Sequence, residues 1–305
     1  MANLDPYSDK NGVMKNCLGI EDAGTLSDAE RKLTGIRAVE IRDGSAPATT
    51  HGHFDADHLR AIHQHTFQDV YEWAGTTRGD PLTIDGQQHK QPEQLIKATT
   101  SFEEASKVNA RLDALCERLA QQDHLRGLSR EEFSTRAADT MSELNQIHPF
   151  REGNGRTQRE FMTQLGHQAG HEINFDGVTQ QRMTVASFDA AQGDKDTMRR
   201  LFDEITDPDR ARLLRRGFDA MHEQHGHQVQ QVYLTTTTPG QDYAGQVHLK
   251  DSKQFVMRSS GDFVVGHPQD LPRGSSDGDA VKVTATPSPS AAQEKQMQRQ
   301  RGLDY

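Results

Sequence analysis

A break between two amphipathic stretches constrains this chain more than any other feature. Residues 129–147 open on a capping box, Ser129-Arg-Glu-Glu132, and carry Phe133, Ala137, Met141 and Leu144 at helical spacing. A second stretch with Phe161, Leu165 and Ala169 starts near Gly155. Between and overlapping them runs His148-Pro149-Phe150-Arg151-Glu152-Gly153-Asn154-Gly155-Arg156-Thr157-Gln158-Arg159. Pro149 and two glycines exclude one continuous helix, so the segment is a tight loop feeding a helix N-terminus, with Phe150 as its anchor in the core.

Each polar residue there has a task if the ligand is a nucleoside triphosphate. Gly153 and Gly155 leave backbone N–H groups bare, and the helix N-terminus adds its positive dipole end. Arg156 and Arg159 are three apart and share a face, so two guanidinium forks can hold consecutive phosphates. Glu152 places one carboxylate beside the cradle, which suits a Mg²⁺ that bridges phosphate oxygens and takes few protein ligands. His148 titrates near neutral pH and can accept a proton from an incoming hydroxyl.

The remaining pattern from about residue 25 to 210 is helical. Ser27-Asp-Ala-Glu30 reads as a capping box before Leu33, Ile36 and Val39 on one face. Asp55 caps a helix with Leu59, Ile62, Val70 and Trp73, Phe67 beside them, and a third helix runs over 102–119 with Val108, Leu112, Leu115 and Leu119 inward. The last helical stretch covers about 197–224. Between Glu72 and Gln91 the helical pattern gives way to glycines, a proline, Leu82-Thr83-Ile84 and a Gly86 turn signal, which predicts a short β-hairpin.

The twelve-residue segment resembles the Fic family signature HxFx(D/E)GNGRxxR and matches it at every specified position. Seven fixed residues and one two-way choice would coincide by chance at roughly one in 10¹⁰. DPYSDKNGVMKNCLGIEDAGTLSDAE and FDADHLRAIHQHTFQDVYEWAGTTR are also similar to Fic-domain sequence, so the resemblance covers about residues 5–205. It implies a mainly α fold with the hairpin as a flap over the active site, and transfer of AMP from ATP to a Ser, Thr or Tyr hydroxyl of a target protein. His148 would be the general base and Glu152 would hold Mg²⁺. Gly153, Asn154 and Gly155 would bind and orient the α- and β-phosphates, and Arg156 and Arg159 the β/γ-phosphates. Flap residues Leu82, Thr83 and Ile84 would pair with an extended target segment, and Lys90, where many relatives carry an aromatic nearby, would meet an acidic target.

Many relatives are held off by a glutamate in an (S/T)xxxE(G/N) helix. Thr99…Glu103, Thr100…Glu104 and Ser290…Glu294 have the spacing but the wrong following residue. The resemblance therefore implies a separate antitoxin-like inhibitor protein. Relatives that phosphorylate usually have Lys at the position of Gly155. Phosphate or UMP transfer, or a docking scaffold without chemistry, are the alternatives.

Composition bounds the rest. The chain is 305 residues, 33% hydrophobic, with a net charge of −10 that excludes general affinity for nucleic acid. No apolar run reaches the roughly 20 residues of a membrane span, and the N-terminus lacks a secretory signal. Cys17 and Cys116 form no metal or disulfide pattern. The expected location is the cytoplasm of a producing bacterium, with delivery into another cell by a secretion system left open. His167 and His171 have metal spacing but no zincin glutamate, and read as solvent-facing. After residue 227 short alternating segments at Val247/Leu249, Phe255/Met257 and Val281/Val283 predict a small β-barrel. It resembles the OB-fold unit that follows Fic domains in type IV secretion effectors. The division expected is a Fic domain over 1–210, a helical linker over 211–227, an OB-like unit over 228–286 and a polar tail over 287–305.

Overall fold

Asp22 starts helix α1, Ala23–Asp43, by accepting from the Thr25 N–H. The structure, a computed structural model, describes residues 5–97 and 100–287, so Thr99 and the Ser290…Glu294 pair lie outside the described residues. By internal contacts the chain divides into two units, Met1–His171 and Glu172–Tyr305. The change in composition near residue 227 falls inside the second.

The first unit is helical. After α1 come α2, Ala56–Phe67, capped by Asp55, the hairpin strands β1, Leu82–Ile84, and β2, Gln87–His89, and a second short pair, β3, Ile96–Lys97, and β4, Thr100–Ser101. Then follow α3, Ala105–Gln121, α4, Arg130–Ile147, and α5, Asn154–Ala169. The capping box at Ser129 forms as the sequence predicts, and α4 ends one residue before His148. The stripes of α3 and α4 are buried, and α2 and α4 both pack on α5.

Three local expectations change. Ser27 lies inside α1 rather than capping it, and Ile36 and Val39 are 59% and 55% exposed. The buried face of α1 carries Leu26, Thr34 and Ile41, and its middle turns make polar contacts to Arg156 of α5 and to Tyr71. Helix α2 stops at Phe67, and Val70 and Trp73 are buried from the turns that follow, with Trp73 edge-on to Tyr7 at 5.2 Å. His171 is half-buried rather than fully solvent-facing: its ring stacks on Phe133 at 4.4 Å, and Nε2 lies 3.0 Å from the Leu128 carbonyl.

The second unit carries α6, Gln180–Ala191, α7, Asp196–Ile205, and α8, Pro208–His225, then strands β5, Leu234–Thr236, β6, Asp242–Lys250, β7, Phe255–Ser259, β8, Asp262–Gly266, and β9, Ala280–Thr284. The sheet order is β5-β8-β7-β6-β9, with β5 parallel to β8 and every other pair antiparallel. Ser260 and Gly261, both at positive φ, make the tight turn between β7 and β8. Gly217 lets α8 lie on β8, since a Cβ there would come within 2.4 Å of Val265.

A buried ion pair ties three elements of this unit together. Arg182 of α6 and Glu204 of α7 are 2% and 1% exposed, and meet in two bonds of 2.9 and 2.6 Å. The Glu204 carboxylate also accepts from the Thr236 N–H and the Thr235 hydroxyl of β5, so its charge is fully partnered. Removing one member leaves the other charged and buried. Glu204→Ala should cost about 3–5 kcal/mol, read as a lower urea midpoint in the full chain.

Candidate active site

The loop between α4 and α5 is held by its own side chains first. Asn154 is 2% exposed, and its amide bonds both ways to Phe150, accepting from N–H at 2.9 Å and donating to the carbonyl at 2.6 Å. Its side chain therefore closes the loop. Gly153 sits at φ +84, and a Cβ there would meet the Phe67 ring at 2.4 Å, so only glycine fits. Gly153→Ala should destabilise the chain by about 1–3 kcal/mol in urea denaturation.

His63 of α2 supports the loop from beneath. Its Nδ1 accepts from the Gly75 N–H at 2.8 Å, which leaves Nε2–H to donate to the Glu152 carbonyl at 3.0 Å. The ring also stacks on Phe150, 3.8 Å between centroids. Arg78, 2% exposed, supports it from the other end: Nε donates to the His148 carbonyl, Nη2 to those of Ile147 and Glu103, and its own N–H to Pro149. Neither residue belongs to the signature. The sequence held a signal only for His63, a histidine set among the apolar positions of α2.

His148 caps α4 in the left-handed region, φ 47. Its ring is stacked on Phe102 at 3.8 Å, and Nδ1 lies 3.3 Å from the Asn145 carbonyl. A carbonyl only accepts, so Nδ1 carries the proton and Nε2 presents a lone pair. That Nε2 has no hydrogen-bond partner among the described residues. Burial first, then the Lys97 and Arg78 charges, push the imidazole down to about 3, so the ring is neutral at physiological pH. A neutral ring with one free lone pair is what a general base requires.

Gly153 is the N-cap of α5 and supplies no side-chain cap, so the first N–H groups of the helix have no capping side chain. Glu152 stands beside them: Oε1 accepts from the Gly153 N–H at 3.1 Å and Oε2 from Lys97 Nζ at 3.0 Å. Burial alone would raise this carboxyl, but the Lys97 charge and the Gly153 N–H outweigh it and hold it below the usual range. One carboxylate next to bare N–H groups fits a Mg²⁺ that draws its remaining ligands from phosphate and water.

The two signature arginines differ. Arg156 is already engaged by α1, donating to Glu30 and to the Thr34 hydroxyl at 3.0 Å, with its guanidinium 4.6 Å over the Phe67 ring. Glu30 also accepts from the Tyr71 hydroxyl. The reading of Ser27-to-Glu30 as a capping box hid this role. Arg159 is half-buried, lies close to Gly155 and bonds to no carboxylate among the described residues; desolvation and then the Arg156 charge lower its pKa. Glu103 and Glu104 are paired with Arg111 and Lys107 instead.

The flap forms with Leu82 opposite His89 and Ile84 opposite Gln87. Leu82 and Ile84 are 1% and 2% exposed in the cluster with Tyr7 and Trp73, whereas Thr83 and Lys90 are exposed. Only main chain and the Thr83 side of this strand are open to a partner. A cavity of about 600 Å³ borders the flap's exit, lined among others by Tyr7, Arg78, Lys90, Gln91 and Arg151.

His63 is likewise pushed down to about 3, burial dominating, with the Glu152 carbonyl opposing it. His63 and His148 are thus neutral when folded, but take a proton near their ordinary 6.5 once unfolded. The unfolded chain then binds more protons between about pH 3 and 6.5, so stability rises with pH across that window and is lost as pH falls through it. Urea denaturation at pH 7 and pH 5 should show the loss, and His63→Gln should flatten the slope even though it lowers stability at pH 7.

The Fic/DOC family model matches residues 53–165. A protein adenylyltransferase of Bartonella henselae is 34% identical over 265 residues, 85% of this chain and 47% of that protein, so the chain spans about half the length of that relative. The structure of the type IV secretion system effector protein BepA aligns with a TM-score of 0.83 and 33% identity, over 92% of this chain and 96% of that one. The structure of BepC from Bartonella tribocorum, solved with bound AMPPNP, aligns with a TM-score of 0.62 and 35% identity, over 66% and 96%.

Proposed function

Since this chain belongs to the Fic/DOC family, we propose that it transfers AMP from ATP to a Ser, Thr or Tyr hydroxyl of another protein. The observation that carries the proposal is the free Nε2 of a neutral His148 beside the uncapped start of α5. The AMPPNP bound by BepC and the adenylyltransferase name of the Bartonella henselae relative support it.

In this reading the triphosphate lies on the α5 N-terminus, held by the N–H groups of Asn154, Gly155 and Arg156 and by the unpaired Arg159. A bare Gly155 keeps the approach open. The target hydroxyl gives its proton to His148 Nε2 as its oxygen bonds to the α-phosphorus, and the bond to the leaving pyrophosphate breaks with the electron pair on pyrophosphate. Glu152 would hold Mg²⁺, which neutralises charge on the phosphates. Phe102 stacking and the Nδ1 contact with the Asn145 carbonyl keep the His148 ring from turning while Arg78 holds its backbone, so positioning and charge stabilisation supply most of the catalysis.

The target segment would add to the flap by main-chain pairing, with Thr83 facing it and Lys90 meeting an acidic group. Arg159 without a carboxylate supports regulation from outside: a glutamate of a separate antitoxin-like protein would pair with it. Likeness to BepA supports delivery into another cell by type IV secretion. No helix among the described residues is long and apolar enough to cross a membrane.

Incubation of a lysate with the chain, Mg²⁺ and either α-³²P-ATP or γ-³²P-ATP tests the chemistry. Label from α-³²P-ATP on one or a few proteins is expected, reduced about 10²–10⁴-fold by His148→Ala. Label from γ-³²P-ATP alone would mean phosphorylation and overturn the reading.

A further inference from the structure

Lys97 belongs to no motif, yet it makes the closest charged contact to the acidic group of the site. It ends β3, and the β3–β4 hairpin is fastened to the catalytic loop. Phe102, just after β4, stacks on His148 and donates its N–H to the Leu95 carbonyl, and Gln146 Nε2 donates to the Ser101 carbonyl. The same hairpin that steadies the base therefore delivers an ammonium to Glu152, 3.0 Å from Oε2.

That contact occupies the carboxylate oxygen a divalent cation would need. Both side chains keep 38% of their exposure, so the pair is reachable from solvent and its members can separate without opening the core. The charges around it decide where the ammonium goes. Arg156 is neutralised by Glu30, and Arg159 is a cation without a carboxylate partner among the described residues. Once a divalent cation takes Glu152, Lys97 has no acidic partner left among the side chains it touches, and the phosphate oxygens are the anions next to it.

We propose that Lys97 is an exchangeable counter-ion: it holds Glu152 before loading and binds nucleotide phosphate once a divalent cation replaces it there. The assignment rests on the nucleotide reading above and adds a phosphate-binding residue outside the signature.

The two roles have opposite signs in binding. Full-length chain, Lys97→Met and Lys97→Arg are compared in two assays: Mn²⁺ binding without nucleotide, by electron paramagnetic resonance, and ADP binding at saturating Mg²⁺, by calorimetry. Lys97→Met should bind Mn²⁺ about two- to fivefold tighter, the range of a half-exposed ion pair, and ADP more weakly by a similar factor. Lys97→Arg should restore ADP binding. Losses in both assays would mark Lys97 as merely structural, and no change in either would remove it from the site; both overturn the proposal. A wild-type chain that binds no ADP would overturn the nucleotide reading itself, whereas ADP binding that Lys97→Met leaves untouched overturns only the Lys97 role.

Discussion

The loop between α4 and α5 depends on one buried imidazole. His63 accepts from the Gly75 N–H and donates to the Glu152 carbonyl, and its ring fills the space under Phe150. That fixes a turn which would otherwise leave polar backbone unpaired in an apolar site, where each unpaired group costs about 1–3 kcal/mol. Gly153 can then pack against Phe67, and α5 can start with its N–H groups open to solvent-borne anions. Without His63 the signature residues would exist in the chain but would not converge.

Around this clasp the polar side chains separate into those that build and those that act. Asn154 and Arg78 spend their hydrogen bonds on backbone, and Glu30 and Thr34 accept from the Arg156 guanidinium. His148 Nε2 and Arg159 are left without such partners among the described residues. The first group pins the loop in place, so the second can remain unsatisfied until a ligand arrives. Preorganisation of this kind lowers the reorganisation needed at the moment of reaction.

The second unit follows the same logic with different parts. Its buried Arg182–Glu204 pair is satisfied by β5 on one side and by two helices on the other. A sheet with only one parallel contact, β5 to β8, needs such a tie, because β5 is short and lies at the edge.

The sequence by itself determined the α4–loop–α5 break, the Ser129 cap and the flap hairpin, since each follows from local spacing and the demands of the backbone. Strand segments after residue 227 were legible from alternation for the same reason. It could not show that Glu30 reaches Arg156, that His63 and Arg78 hold the loop, or that Lys97 meets Glu152. Those pairs are 126, 89, 70 and 55 residues apart, and no local pattern records which distant side chain will satisfy a given polar atom. Nor could it tell that Ile36 and Val39 face outward while Leu82 and Ile84 face in. Apolar spacing names a stripe, but only the packing of neighbouring elements decides which stripe is covered.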